Sequence, residues 1–203
     1  MRIFNQKEGE ELVRAARYAI ELYLSNPKFD RNVIKSSIKE FRQRYGVFVT
    51  LEYGPTRTLR GCVGFPNPVS ILSNDLIEAA LAAAFGDPRF VPVSHKELDD
   101  LTIEISILSE AKPLASEGKN REKEVMVGKD GLIVRYGISS GLLLPIVAVQ
   151  ERWDSKRFLE EVCFKAGLKR DYWARPGVNI YKFETQVFRE DTPRGRIVEV
   201  KLE

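Results

Sequence analysis

The chain has 203 residues, 43% of them hydrophobic and 30% charged, with 32 Lys and Arg against 29 Asp and Glu. A net charge of only +3 on so apolar a chain excludes the disordered class, whose members lack the apolar surface to offset chain entropy. Folding should bury roughly 70% of the surface that the unfolded chain exposes, so one domain over 1–203 needs no staple, with two small lobes as the alternative.

No stretch approaches the roughly 18 apolar residues of a membrane span. The start of the chain carries charge at Arg2 and no apolar h-region, so no secretory signal is visible. Cys62 and Cys163 lie too far apart in sequence for a disulfide framework. A cytoplasmic protein without contact to membrane is expected. Dense charges of both signs with few Gln and Met point to a thermophilic source. Basic and acidic residues are interleaved, so the pI near 8.8 does not indicate nucleic-acid binding.

Asn5 and Glu8 have capping-box spacing for a first helix that stops at Asn26-Pro27. A second helix is expected over Asn32 to Arg44, with Gly46 after its end. Val47 to Tyr53 reads as a strand, and Leu59 to Phe65 as an extended segment holding two glycines. An Ala- and Leu-rich helix runs from about Ser70 to Phe85. Ser94 and Glu97 offer a second capping box. Leu101 to Leu108 alternates as a half-buried strand.

In the second half, Lys119 to Glu124 reads as a solvated charged segment. A hairpin is expected around Gly128 to Gly131, and a buried strand from Leu142 to Val149 that carries Pro145 at an edge or bulge. Asp154 caps a helix closed by Gly167, and short strands follow near Val178 to Phe183 and Ile197 to Leu202. The order strand, strand, helix, strand occurs twice at an offset of about 80 residues, which suggests a duplicated β/α unit.

Gly137-Ile-Ser-Ser-Gly141 has the spacing of a nucleophile elbow, but a strand and not a helix is expected after it, and the one histidine, His95, lies upstream. One His and two distant Cys cannot supply a nitrogen and sulfur metal shell, and no phosphate-loop glycine motif is present. No metal and no cofactor are expected. What remains is Leu59-Arg60-Gly61-Cys62-Val63-Gly64. Gly61 and Gly64 permit close backbone approach around a thiol. The N-terminus of the helix 70–85 and Arg60 would favour a thiolate if they meet it. His95 could then act as the base of a dyad with Cys62. The competing reading makes Cys62 a compact hydrophobe in a crowded strand. Arg60, Cys62, Asp87, Arg89 and His95 are expected around one concavity, because polar segments bracket the same helix.

Leu59 to Gly64, with Phe48-Val-Thr-Leu51, Asp87-Pro-Arg-Phe90, Ile103-Glu-Ile-Ser106, Leu143-Leu-Pro145, and Trp153 with Phe158-Leu159, resembles the AMMECR domain family. Ile146 departs from the Gln expected after Leu-Leu-Pro. The resemblance implies an α+β fold with a mostly antiparallel, barrel-like sheet and flanking helices. It also implies membership of the AmmeMemoRadiSam system, with Memo-like and radical-SAM partners. Two roles stay open. One is a non-catalytic binding or scaffold component using Arg60, Gly61, Gly64, Asp87 and Arg89. The other is a thiol-dependent enzyme using Cys62 and His95 on a small molecule or peptide.

Overall fold

The computed structural model describes residues 4–201. Helix α1 (Gln6–Ser25) precedes α2 (Asn32–Ser37), the hairpin β1 (Gly46–Tyr53) and β2 (Thr58–Phe65), α3 (Leu72–Phe85), α4 (His95–Leu98) and β3 (Leu101–Leu108). Then follow the two-residue β4 (Lys112–Pro113), a 3₁₀ helix (Gly118–Glu124), and the hairpin β5 (Asp130–Tyr136) and β6 (Ser139–Leu143). Helices α5 (Pro145–Gln150) and α6 (Ser155–Lys165), a second 3₁₀ helix (Arg170–Ala174), β7 (Asn179–Glu190) and β8 (Ile197–Val200) complete the chain. The class is α+β with a curled antiparallel sheet, as expected.

Two compact units divide the chain: residues up to Leu108 with Gln186–Val200, and Ser109–Thr185. In the first, the strand order is β2-β1-β3-β7-β8. Alternation puts Val47, Val49 and Leu51 with Ile103, Ile105 and Ile107 on one face, where they are fully buried in a core shared with α1 and α3. Each wholly buried side chain of this size contributes about 1.5–3 kcal/mol. The Asn5 and Glu8 capping box forms at 3.0 and 2.6 Å. Arg17 of α1 is buried, grips Glu190 of β7 at 2.6 and 2.5 Å, and donates to the carbonyls of Leu98 and Leu101.

α2 is shorter than expected. It ends at Ser37, although Ile38 and Phe41 still point into the core. The Ser36 and Ser37 hydroxyls bond back to the carbonyls of Val33 and Ile34, which competes with helix propagation. The carbonyls of Phe41 and Gln43 accept instead from the N–H groups of Ser73 and Leu72, at the start of α3.

In the second unit the order is β6-β5-β7, with β4 also on β7. Its hairpin does not fall at Gly128 to Gly131, where the N–H groups of Lys129 and Asp130 fold back on the Met126 carbonyl. The turn is Gly137-Ile138, between the paired Tyr136 and Ser139, with Gly137 at φ +57°. Pro145 does not interrupt a strand. It opens α5 at the first turn, where a missing N–H costs nothing. The 119–124 segment is not wholly solvated either, since Arg121 is 8% exposed.

The repeated order of elements is real. Each unit has a hairpin, a helical segment, and a strand that returns to pair with the hairpin's first strand. Gly61 and Gly141 serve it alike. A Cβ on Gly61 would lie 2.2 Å from the Ala83 carbonyl oxygen of α3, and one on Gly141 would lie 2.8 Å from the Val162 carbonyl oxygen of α6. Only glycine admits helices so close to the second strand.

Candidate functional site

β2 is an outer strand, hydrogen-bonded to β1 alone. Its register slips opposite Leu51/Glu52: Gly61 faces Leu51, Leu59 faces Glu52, and Arg60 is left over. Such a bulge re-aims a side chain. Arg60 turns to the side occupied by Tyr53 and α4. There its Nε and Nη2 hold the Glu97 carboxylate at 2.5 and 3.1 Å, and Nη2 also donates to the Val91 carbonyl at 2.8 Å. The Tyr53 hydroxyl donates to the same carboxylate. Glu97 also completes the capping box of α4 with Ser94. Burial works against the Glu97 carboxylate, yet the hydrogen bonds from Arg60 and Tyr53 outweigh it and hold its pKa below normal. The Phe90 ring lies beside two guanidiniums, with its centroid 5.6 Å from Arg60 Cζ and 5.4 Å from Arg89 Cζ. Arg60 Nη1 is buried without a hydrogen-bond partner.

Asp87 and Arg89 close the free edge of β2. The Cys62 N–H donates to Asp87 Oδ2 at 2.9 Å, and the Cys62 carbonyl accepts from Arg89 Nη2 at 3.2 Å. Arg89 in turn grips Asp87 at 2.9 and 2.6 Å. Two side chains thus do for Cys62 what a neighbouring strand would, which blunts an edge that would otherwise pair. The Arg89 hydrogen bond drives the Asp87 carboxyl far below its ordinary range, so it is no proton donor at neutral pH. Arg89 itself keeps a side chain 54% exposed.

Because both backbone groups of Cys62 point outward, Cys62 and Thr50 form a pair without mutual backbone hydrogen bonds, the closer kind. Thr50 Oγ1 donates to Cys62 Sγ at 3.3 Å. On its other side Thr50 is paired with Glu104 of β3, so thiol, hydroxyl and carboxyl stand in one row across three strands. Burial pushes the half-buried Cys62 thiol up; the Thr50 bond and Arg89 offset this only in part, while Glu104 and Asp87 add to it. Burial, then Glu52, raises Glu104 to about 7, against weaker opposing pulls from Arg189 and Arg57. Its nearest cation is Arg189 Nη1 at 3.8 Å.

Of the expected residues, the structure joins Arg89 and Asp87 to the Cys62 backbone and sends Arg60 to the opposite face from the thiol. His95 is exposed on α4 and makes no hydrogen bond to Cys62. Gly61, the motif residue seen against α3, abuts the Ala83 carbonyl in its last turn and not its N-terminus. Gly64 lies against Val47 and Phe48, where a Cβ would come within 2.3 Å of the Val47 carbonyl oxygen. Cys163 is fully buried in the core of the second unit, its pKa raised by burial to about 11. Sequence reasoning passed over Glu97 as a mere cap and Glu104 as the outward face of a strand. Among the described residues, no His, Cys, Asp and Glu groups of three or more could share a metal ion, and no helix is long and apolar enough to cross a membrane.

The α+β fold with its curled antiparallel sheet defines a class that known proteins share. The AMMECR1 family model matches residues 13–188, and the chain belongs to that family. It is 43% identical to Protein MJ0810 of Methanocaldococcus jannaschii over 203 residues, the full length of both chains. It is 45% identical over 198 residues to Protein MK0488 of Methanopyrus kandleri, covering 97% of this chain and 95% of that one. The crystal structure of the uncharacterized protein PH0010 from Pyrococcus horikoshii superposes with a TM-score of 0.91 at 43% identity, covering 98% of this chain and 99% of that one.

Proposed function

We propose that this AMMECR1-family chain is a non-catalytic binding component of a modification pathway, acting in the cytoplasm with Memo-like and radical-SAM partners through the surface around Leu59 to Gly64. The observation that carries this reading is the treatment of Cys62. Its backbone is clamped by Asp87 and Arg89, its thiol is pushed up by burial, and it is paired with no histidine. A nucleophilic cysteine needs the reverse, a lowered pKa or an adjacent base. Beside it, Arg89 is exposed, and Phe90 offers an aromatic face flanked by two cations. Arg and aromatic residues are those that most often anchor a protein partner.

One observation favours the alternative, a thiol-dependent enzyme acting on a small molecule or peptide. Thr50, whose hydroxyl donates to Cys62 Sγ, sits in the strand row between that thiol and Glu104, whose carboxyl is raised to about 7. A group able to take up a proton near neutral pH thus stands in the same row as the thiol. Calorimetric titration with a purified Memo-like protein and a purified radical-SAM protein separates the two. For a binding module, Arg89→Ala weakens association at least tenfold, and Cys62→Ser leaves both association and the partner's activity within about twofold. Loss of the partner's modification activity in a folded Cys62→Ser, with association intact, would move the assignment to the enzyme.

A further inference from the structure

In the unit formed by Ser109–Thr185, a cavity of about 330 Å³ is lined by Glu117, Gly118, Arg121, Ala174, Arg175 and Gly177, among others. Arg121 is 8% exposed, and its partners are all backbone carbonyls: Nε to Ser116 at 3.3 Å, Nη1 to Trp173 at 2.5 Å and Nη2 to Val178 at 2.8 Å. No carboxylate among the described residues forms an ion pair with it. A buried guanidinium without an anion is costly, because carbonyl dipoles replace only part of its hydration. It also carries five N–H groups, of which three are engaged. A cation with a full charge and two unspent donors therefore lines this cavity.

Arg175 lines the same space. It spends Nη2 on Asp171 at 2.7 Å, and its guanidinium lies 4.1 Å over the Tyr172 ring. Gly118 and Gly177 keep the walls bare, at φ +55° and +78°, where a side chain would be strained. Two carboxylates oppose: Asp171, whose side chain is 64% exposed, and Glu117, also exposed. Water screens both, whereas the buried Arg121 is screened much less.

We infer that this cavity binds a phosphate-sized oxyanion, free or as the phosphate group of a small molecule, with Arg121 as its buried countercharge and Arg175 as a second donor. Two guanidiniums suit phosphate, which carries about −1.5 to −2 at neutral pH and accepts from several donors at once. The site shares no residue with the Cys62 surface, and its failure would leave the proposed binding role untouched.

The test is isothermal titration of the full chain with inorganic phosphate, at ionic strength held constant with chloride, and then with glycerol phosphate. Arg121 ties three carbonyls together and is left in place. The expected result is saturable one-to-one binding, weakened at least tenfold by Arg175→Glu and tightened severalfold by Glu117→Gln, both variants being checked for native circular dichroism. Tighter binding of glycerol phosphate assigns the cavity to a phosphate ester, and tighter binding of inorganic phosphate assigns it to the free anion. Absence of saturable heat with both probes, or equal affinity in the two charge variants, overturns the inference.

Discussion

Arg60 and Cys62 stand two residues apart on β2 and leave it on opposite faces of the sheet. Regular alternation would put them on the same face. The bulge opposite Leu51/Glu52 breaks that alternation, so the guanidinium meets Tyr53 and Glu97 while the thiol meets Thr50. One short motif therefore serves two surfaces. The helix side is a brace, with side chains of Arg60 and Glu97 only 6% and 19% exposed.

Breaking that brace from one side leaves a charge mostly buried and unpaired. Arg60→Met is expected to destabilise the fold by about 3 kcal/mol, toward the low end for a buried pair because Glu97 keeps some contact with water. Arg60→Met combined with Glu97→Leu should recover part of the loss. Urea midpoints for the two variants and the parent decide it. A single variant within about 0.5 kcal/mol of the parent would show that the pair contributes nothing.

Much of the architecture was legible because it rests on period and punctuation. The strand over Leu101 to Leu108 and both capping boxes are local signals that the fold keeps. That strand is nonetheless buried on both faces, Thr102 and Ser106 included, and not half-buried as its alternation suggests. The errors have one physical source. Pro145 after apolar leucines reads equally as a strand defect or a helix first turn, and only the packing of α5 decides between them. α2 ends early where the Ser36 and Ser37 hydroxyls bond back to the Val33 and Ile34 carbonyls, a competition that residue type alone does not decide. At the candidate site, the facing of Arg60 and Cys62 was not legible, since a bulge at Arg60 has no sequence signal. Glu104 became notable only when the register set it beside Thr50 and Cys62.

Glu104 makes a signed prediction about pH. Its folded pKa is raised to about 7, above the roughly 4.3 of an unfolded glutamate. Below that unfolded value both states hold the proton and stability is unaffected. Between about pH 4.3 and 7 the folded state binds more protons than the unfolded one, so stability falls as pH rises, and above 7 the loss is complete. Glu104→Gln should flatten this slope and be the more stable protein at pH 8, by up to about 3–4 kcal/mol. Equal urea midpoints for variant and parent from pH 5 to 8 would contradict a buried, elevated carboxyl.

β7 bears on cooperativity. It runs without interruption from Asn179 to Glu190, supplying Ile180 to one hydrophobic core and Phe188 to the other. Loss of either core would strip the packing from part of this one strand. Scanning calorimetry of the full chain is therefore expected to show one transition, with no stable half released by proteolytic cuts between Ala115 and Glu124. Two resolved transitions would mean that the compact units fold independently.

The last prediction concerns the thiols. A free cysteine of pKa about 8.5 is about 3% thiolate at pH 7. Burial lifts Cys62 above its ordinary value, so its thiolate fraction at pH 7 is smaller still. Native-state labelling with iodoacetamide should be slower at Cys62 than at a small-molecule thiol, with its midpoint shifted to higher pH. Cys163, fully buried with a pKa near 11, should stay unlabelled until the chain unfolds. The neighbours set the direction of further shifts. Glu104→Gln removes a carboxylate that raises the thiol pKa, so the Cys62 midpoint should fall. Arg89→Ala removes a cation that lowers it, so the midpoint should rise, even if a loosened edge makes labelling faster overall. For that reason the pH midpoint, read by mass spectrometry at each cysteine, is the quantity to compare. A Cys62 midpoint below that of the free thiol would overturn the binding-module reading, because a depressed thiol pKa is what nucleophilic chemistry requires and packing does not.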